Sequence, residues 1–319
     1  MNLPWLVADI GGTNARFGLV TRPAGQPEAV AVLNVSQHHG LADAVAAYLA
    51  DHAGGVRPEA ACLAIAGPVD RDRYRLTNAA WAGSVLDLGI PRAVLLNDFE
   101  ALAISLPHLA GDDLVPLGGP PPSARLAKAV LGPGTGLGVG GLVPVPGGWA
   151  PVPGEGGHVA APAVTDLEME IVRALRADGL PYVDAEHLLS GPGLARLHRG
   201  LALVRGVAPV AGTAAEVTAS ADPLCLETVE VFLAMLGGFA GGVALTLGAR
   251  GGVYLGGGVL PRLADRIGGG AFRARFETAA PALAPYLSAV ATSLIVAEHP
   301  ALTGAAAWLA QVSSNVELV

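Results

Sequence analysis

A chain of 319 residues with 52% apolar and only 14% charged side chains has enough to bury for two cores, which excludes a disordered chain and favours two domains. Its 19 basic and 27 acidic groups leave a formal charge of −8, with no basic cluster of the kind a nucleic-acid backbone requires. Lys128 is the sole lysine, so neither a G-x-x-x-x-G-K-[ST] phosphate loop nor the strand lysine of protein kinases can be written.

The opening MNLPWLVADIGG carries no basic leader and places Asp9 where a secretory signal needs apolar residues. Trp5–Asp9 reads as an apolar strand, Gly11-Gly12-Thr13-Asn14 as a turn and Arg16–Val20 as the returning strand of a hairpin. Residues 29–35 follow as a third strand, and 41–50 have helical spacing. Residues 60–66 and 93–96 read as buried strands, and a helix over 98–106 stops before Pro107. Cys62 lies inside the apolar run 61–66 and Cys225 lies far from it. Two isolated thiols match no metal or redox spacing and suit a reducing, cytoplasmic setting. The glycosylation sequon Asn34-Val35-Ser36 is then coincidental.

The proline-rich Gly118-Gly119-Pro120-Pro121-Pro122 continues neither element type, so a domain boundary is expected near it. Beyond it the pattern restarts, with a strand at 127–131, a turn Gly132-Pro-Gly-Thr-Gly136 and a returning strand at 137–145. Thr165-x-x-Glu168 is a capping box for a helix through Ala177, and Thr213-x-x-Glu216 opens another. A long apolar helix to Leu247 feeds a strand at 252–255 and the turn Gly256-Gly257-Gly258. A strand at 289–296 and a helix near 304–309 complete the chain. Residues 231–249 carry no charge and have Gly237, Gly238, Gly241 and Gly242 at the spacing of a membrane dimerisation face. A lone span without flanking basic anchors is expected to be a buried soluble helix. Both halves begin strand, glycine–threonine turn, strand, a weak duplication that suggests two related α/β domains facing a cleft.

Three glycine turns at strand ends could let backbone N–H groups approach an anion. The match Gly136-x-Gly138-x-x-Gly141 to the dinucleotide fingerprint fails on context, because Leu142-Val-Pro-Val-Pro cannot open the helix it needs. Asn97-Asp98 stands where a strand meets a helix and could be either an N-cap or part of a site. Glu155 and His158 interrupt an apolar region with no solubility need for them. They could be a metal pair, but no third ligand lies near, which argues against zinc. Glu186 could be a first-turn acid favoured by a helix dipole.

The segments Asp9-Ile-Gly-Gly-Thr-Asn-Ala-Arg16, Asn97-Asp98-Phe99, Gly132-Pro-Gly-Thr-Gly-Leu-Gly138, Pro153-Gly-Glu-Gly-Gly-His158, Glu186 ahead of Leu188-Leu-Ser-Gly-Pro-Gly193, and Gly251-Gly-Val-Tyr-Leu-Gly-Gly-Gly258 together span most of the chain. In that order they resemble the bacterial glucokinases of proteobacterial and cyanobacterial type. The resemblance implies two ribonuclease-H-like, actin-like ATPase domains around a cleft. The expected domains are residues 1–110, completed by a C-terminal helix at about 300–319, and residues 111–299. It implies ATP-dependent phosphorylation of glucose at the 6-hydroxyl, with another hexose, such as mannose or an N-acetylated sugar, as the alternative. A non-catalytic sugar-binding regulator is the remaining one, and a repressor would need a DNA-binding module for which the strand at Trp5 leaves no room ahead of it. Asp98 would be the base on the sugar, with Asn97, Glu155, His158 and Glu186 on the other hydroxyls. Gly11, Gly12, Thr13, Asn14, Gly134, Thr135 and Gly136 would hold the phosphates, Gly256 and Gly257 would lie near the adenosine, and Asp9 would orient Mg²⁺ through water. A homodimer is implied, with neither nucleic-acid nor membrane partner. With two cysteines the chain cannot form the zinc cluster of the related repressor–kinase group. Pro133 departs from the small residue common in the family and removes one N–H donor from its turn.

Overall fold

A strand that is apolar on both faces has to be covered on both, and two such strands organise the first half of this protein. The structure, a computed structural model, describes residues 2–23, 25–122, 125–268 and 270–316. In chain order its elements begin with β1 (Trp5–Ile10), β2 (Asn14–Val20), β3 (Glu28–Asn34), α1 (Leu41–Asp51), β4 (Ala60–Ile65), β5 (Val69–Asp70), β6 (Arg73–Arg75), β7 (Ala82–Ser84), β8 (Ala93–Asn97) and α2 (Asp98–Ser105). They continue with β9 (Leu114–Gly118), β10 (Lys128–Pro133), β11 (Leu137–Val145), β12 (Gly148–Val152), α3 (Asp166–Ala177), α4 (Gly191–Arg205) and α5 (Ala214–Ala219). Then come α6 (Pro223–Leu247), β13 (Val253–Leu255), α7 (Ala264–Ile267), α8 (Ala271–Thr278), α9 (Ala284–Ser288), β14 (Thr292–Ile295) and α10 (Pro300–Val316).

The chain divides into two compact units. The first comprises the described residues of Met1–Gly111, Leu142–Pro153 and Ala297–Val319; the second comprises those of Asp112–Gly141 and Gly154–Val296. The separate strip Leu142–Pro153 has no counterpart in the sequence reading. In the first unit it is fastened by Gln311 of α10, whose side-chain amide accepts from the Trp149 N–H at 2.9 Å and donates to the Trp149 carbonyl at 2.8 Å. Residues 317–319, assigned from the sequence to the final helix, lie outside the described residues.

The sheet of the first unit has the order β3-β2-β1-β4-β8. β1 pairs antiparallel with β2 and parallel with β4, which pairs parallel with β8. All six residues of β4 are buried, as are five of the six in β1, so the central strands are covered on both faces while the edge strand β3 exposes Val30 and Val32. Helix α10 packs against α2, β4 and β1. It begins at Pro300, ahead of the 304–309 stretch read as helical from pattern and where the family resemblance put it, and runs straight through Gly304. A β-carbon at Gly304 would overlap the Ala101 carbonyl of α2, so the glycine is there for close approach of the two helices and does not end either of them.

In the second unit β10 lies between β11 and β13, followed by β14 and β9. β9 and, in the first unit, β12 are strands that sequence pattern alone did not separate from their proline- and glycine-rich surroundings. β14 is shorter than the expected strand, because Val290 N donates to the Leu287 carbonyl at 3.0 Å in a turn that follows α9. Both capping boxes are present, at Thr165–Glu168 and Thr213–Glu216.

Among the described residues α6 is the one helix long and apolar enough to cross a membrane, and 61% of its apolar window is buried. Its glycines explain the spacing. A β-carbon at Gly237 would overlap the Phe272 carbonyl, and one at Gly241 would lie 2.6 Å from Ala279 Cβ and 2.7 Å from the Phe276 carbonyl oxygen. The backbone of α8 therefore lies on the glycine stripe. Gly242 faces open space. Gly241→Ala is expected to destabilise by about 1–3 kcal/mol through overpacking, whereas Gly242→Ala should stabilise by about 0.5–1 kcal/mol through helix propensity. Urea denaturation of the two variants checks the opposite signs.

Candidate active site

In the first unit the predicted residues gather at the carboxyl ends of the parallel strands. Register places Ile10, Ile65 and Asn97 side by side on β1, β4 and β8, the edge at which open α/β sheets present ligand-binding groups. Asp9 lies directly opposite Arg16 across the hairpin, and Arg16 Nη1 donates to Asp9 Oδ2 at 3.2 Å. Burial pushes the Asp9 carboxyl up from its ordinary value; Arg16 and His299 pull it back only in part. In the turn, Gly11 N donates to the Asn14 carbonyl at 2.9 Å and the Thr13 carbonyl accepts from Val35 N at 2.9 Å. The N–H groups of Gly12 and Thr13 have no backbone acceptor among the described residues. Asn78 stands against Gly12, where a β-carbon would lie 2.7 Å from Asn78 Cβ.

Between the two readings of Asn97-Asp98 the structure divides the pair. Asn97 is the N-cap of α2: its Oδ1 accepts from Phe99 N at 2.9 Å, and Glu100 Oε2 accepts from Asn97 N at 2.8 Å to close a capping box. Asn97 Nδ2 donates to the Gly67 carbonyl at 3.5 Å, and that amide nitrogen carries a second N–H. Asp98 is the first residue inside the helix. Its Oδ1 also lies 3.0 Å from Phe99 N, and its carboxylate stands at the positive end of the helix dipole.

In the second unit the glycine turn, the 154–158 segment and Glu186 are knitted together. Gly134 N donates to the Gly136 carbonyl at 2.8 Å, and the Gly134 carbonyl accepts from Gly191 N at 2.7 Å. The Pro133 carbonyl accepts from Val259 N at 3.2 Å, and a β-carbon at Gly257, whose φ is +88°, would overlap that same carbonyl. Gly256 N donates to the Leu131 carbonyl at 2.8 Å. The N–H groups of Thr135 and Gly136 have no backbone acceptor among the described residues. Pro133 costs the turn little, because the flanking carbonyls, not a donor at that position, hold it in place. The dinucleotide match at Gly136–Gly141 runs into strand β11, as its context required.

Gly156 and Gly157 lie on β11, where β-carbons would overlap Val139 and the Leu137 carbonyl. The Gly157 carbonyl accepts from Glu186 N at 2.8 Å, and Glu186 Oε2 accepts from Leu137 N, also at 2.8 Å. Glu186 is therefore not the first-turn acid of a helix. It stands in a turn ahead of Ser190, the N-cap of α4, whose hydroxyl donates to the Glu186 carbonyl at 2.8 Å. Glu155 is exposed, with its carbonyl accepting from His158 N at 3.0 Å. The His158 side chain bonds to Asp184, which lies 26 positions on. Among the described residues no group of three His, Cys, Asp or Glu could hold a metal ion.

His158 Nδ1 lies 3.2 Å from Asp184 Oδ2, and the bond to that carboxylate holds the imidazole above its ordinary pKa. Burial alone would raise Asp184, but the bonds from His187 N, His158 and the His187 ring outweigh it and leave the carboxyl below its ordinary value. Sequence reasoning missed Asp184, because an acid 26 positions from its partner leaves no local pattern. It also did not single out Arg16 as the partner of Asp9, although pairing in the predicted hairpin would have placed it there.

Two α/β units, each with a strand–glycine-turn–strand opening and polar groups at strand ends, define a kinase of the actin-like ATPase fold. A sequence model of the glucokinase family matches residues 6–312. A Saccharophagus degradans glucokinase is 44% identical over 319 residues, covering 97% of this chain and 98% of its own. The crystal structure of a glucokinase from an Antarctic psychrotroph is similar at a TM-score of 0.87 and 34% identity, covering 97% of this chain and 99% of that one. A ROK family glucokinase from Streptomyces griseus, solved in complex with glucose and AMPPNP, shares the fold at a TM-score of 0.61 and 19% identity, over 97% of this chain and 100% of its own. The chain belongs to the glucokinase family, whose reaction is ATP-dependent phosphorylation of glucose.

Because Asn97 is the N-cap and closes the capping box with Glu100, Asn97→Ala is expected to cost about 0.5–2 kcal/mol of stability. Asp98→Asn leaves the Asn97 cap in place, keeps an oxygen that can accept from Phe99 N, and forfeits the charge–dipole interaction, about 0.3–1 kcal/mol. Denaturation midpoints of the two variants separate the roles.

Proposed function

We propose that this protein transfers the γ-phosphoryl group of ATP to the 6-hydroxyl of glucose, with Asp98 as general base. The observation that carries the assignment is the placement of the Asp98 carboxylate in the first turn of α2, at the carboxyl end of β8 and beside the cap residue Asn97. Asp98 takes the proton of the 6-hydroxyl as that oxygen forms its bond to the γ-phosphorus. The bond from phosphorus to the β–γ bridging oxygen breaks, and ADP leaves with the electron pair. A sugar hydroxyl is a weak nucleophile, and such proton transfer is worth about 10²–10⁴ in rate.

Around the same sugar, Asn97 would offer its remaining amide N–H, His158 a ring nitrogen, and Glu155 and Glu186 carboxylate oxygens. Glu186 has Oε2 committed to Leu137 N, which leaves Oε1 for a hydroxyl. Backbone N–H groups of Gly12, Thr13, Thr135 and Gly136, with the Thr13 and Thr135 hydroxyls, would hold the phosphates beside Gly11, Asn14 and Gly134. Gly256 and Gly257 would border the adenosine. Asp9 fits an indirect magnesium partner: one oxygen is taken by Arg16, and a magnesium ion keeps most of its waters. Bound with ATP, magnesium would neutralise charge on the phosphates. We assign the protein to the cytoplasm and to a homodimer on the family resemblance, and sedimentation analysis tests the dimer.

Asp98→Asn should fold and bind glucose yet lose about 10²–10⁴ in kcat. Steady-state rates with glucose and ATP, alongside a glucose titration, make the comparison. Turnover within a few-fold of the unaltered enzyme would leave the mechanism without its base.

A further inference from the structure

Asp184 is a buried carboxylate, its side chain 7% exposed, placed between two imidazoles. Its two oxygens do different work. Oδ1 accepts from His187 N at 2.8 Å and lies 2.6 Å from His187 Nδ1, closing the 184–187 turn. Oδ2 lies 3.2 Å from His158 Nδ1. The backbone supports the same arrangement, since Ala160 and Asp184 form an antiparallel bridge and Ala185 N donates to the Val159 carbonyl at 2.9 Å. His158 itself is half exposed on an isolated helical turn, and its side chain bonds to Asp184.

From this geometry we infer that Asp184 is a positioning residue for sugar binding, fixing the His158 ring with Nδ1 toward its own carboxylate and Nε2 as the nitrogen that meets a glucose hydroxyl. The inference rests on the reading of His158 as a sugar ligand. An imidazole on an exposed turn has two tautomers and two ring orientations; a carboxylate at Nδ1 selects one of each. The groups around the ring are Asp184, Glu186 and Glu155, all acids, and His187 shares the Asp184 carboxylate. Their charge keeps His158 protonated to higher pH than a free imidazole, so that Nε2–H donates; at higher pH Nδ1 retains the remaining proton and Nε2 accepts. Either way the same nitrogen faces the ligand.

Asparagine separates the two duties of Asp184. Its Oδ1 can still accept from His187 N, while an amide nitrogen in place of Oδ2 faces Nδ1 with a donor, which removes the support for the charged ring, drives the remaining proton to Nε2 and so abolishes the state in which Nε2 accepts. Asp184→Asn is therefore expected to raise KM for glucose about three- to tenfold, the scale of one hydrogen bond. kcat and KM for ATP should stay within about twofold, because a contact made equally in ground and transition states changes KM alone. The pH inflection of glucose KM should move down. In a His158→Ala background the same substitution should add less than about twofold, since it acts through the ring.

The measurements are steady-state kinetics across pH on the two single variants and the double variant, with melting temperatures. If His158→Ala raises glucose KM while Asp184→Asn leaves both KM and the inflection unchanged, the inference is overturned and the role of His158 survives. Equal effects of Asp184→Asn with and without His158, or a rise in ATP KM with a fall in melting temperature, assign Asp184 to structure alone and also overturn it. If His158→Ala leaves glucose KM unchanged, the sugar-ligand reading falls and the inference falls with it.

Discussion

The hydrogen bond from Leu137 N to the Glu186 carboxylate is the constraint on which the second unit's polar groups depend. It occupies the space where any side chain at position 136 would begin, since a β-carbon on Gly136 would overlap Glu186 Oε2. One carboxylate thereby fixes the exit of the glycine turn, while the backbone N–H of the same residue holds the Gly157 carbonyl. The 154–158 segment, the 134–136 turn and the start of α4 are three loops by sequence. They behave as one assembly because Glu186 bonds to Gly157 and Leu137, Ser190 bonds to Glu186, and Gly191 bonds to Gly134. Glycine at 136, 156 and 157 is required by these approaches and not by unusual dihedrals, as none of the three has a positive φ.

The first unit solves a similar problem with helices. α2 must present its first turn at the end of β8 without shifting along the sheet. The capping box of Asn97 and Glu100 sets where the helix starts. Gly304 lets α10 lie against the backbone of α2 at Ala101, and α10 in turn packs on β1 and β4. The same strands carry Asp9 and its hairpin, so the carboxylates of Asp9 and Asp98 are both referenced to one buried pair of strands. Cys62 lies in that pair, fully buried, with burial holding its thiol protonated, consistent with a packing role.

Much of this was legible from sequence where a local rule applies. Hairpins with glycine–threonine turns, apolar strands and capping boxes are read from residues a few positions apart. β11 and α3 were placed at their observed limits for that reason. The family resemblance supplied the polar positions, but it did not supply their partners. Glu186 looked like a helix-start acid, because a glutamate just ahead of a helical pattern is the ordinary local explanation. Its actual acceptor role toward residue 137 spans 49 positions. Asp184 carried no signal at all, and β9 was hidden by Pro116 and the prolines after it, which lower strand propensity without preventing an edge position. The glycines of α6 allowed two readings, and the buried helix expected from the lone span is the one observed. The spacing that packs helices in membranes here packs α6 against α8 inside the second unit, because both settings reward backbone approach.

A kinase with one lysine has to manage phosphate charge by other means. Lys128 cannot serve: it is 4% exposed, and its Nζ donates to the Gly251 carbonyl and the Tyr254 hydroxyl. Burial lowers its pKa as well. It stands at the start of β10, roughly 20 Å of extended strand away from the turn at Gly134. Arg16 is held by Asp9. What remains in both units is the same device, a turn whose first glycine N–H is spent inside the turn while the following N–H groups have no backbone acceptor among the described residues. Gly11 bonds to Asn14 and leaves Gly12 and Thr13; Gly134 bonds to Gly136 and leaves Thr135 and Gly136. Backbone donors carry partial charges that cannot be titrated and lose no side-chain entropy on binding. An acidic chain that repeats such a turn after corresponding strands can bind an anion without acquiring the basic cluster its composition lacks.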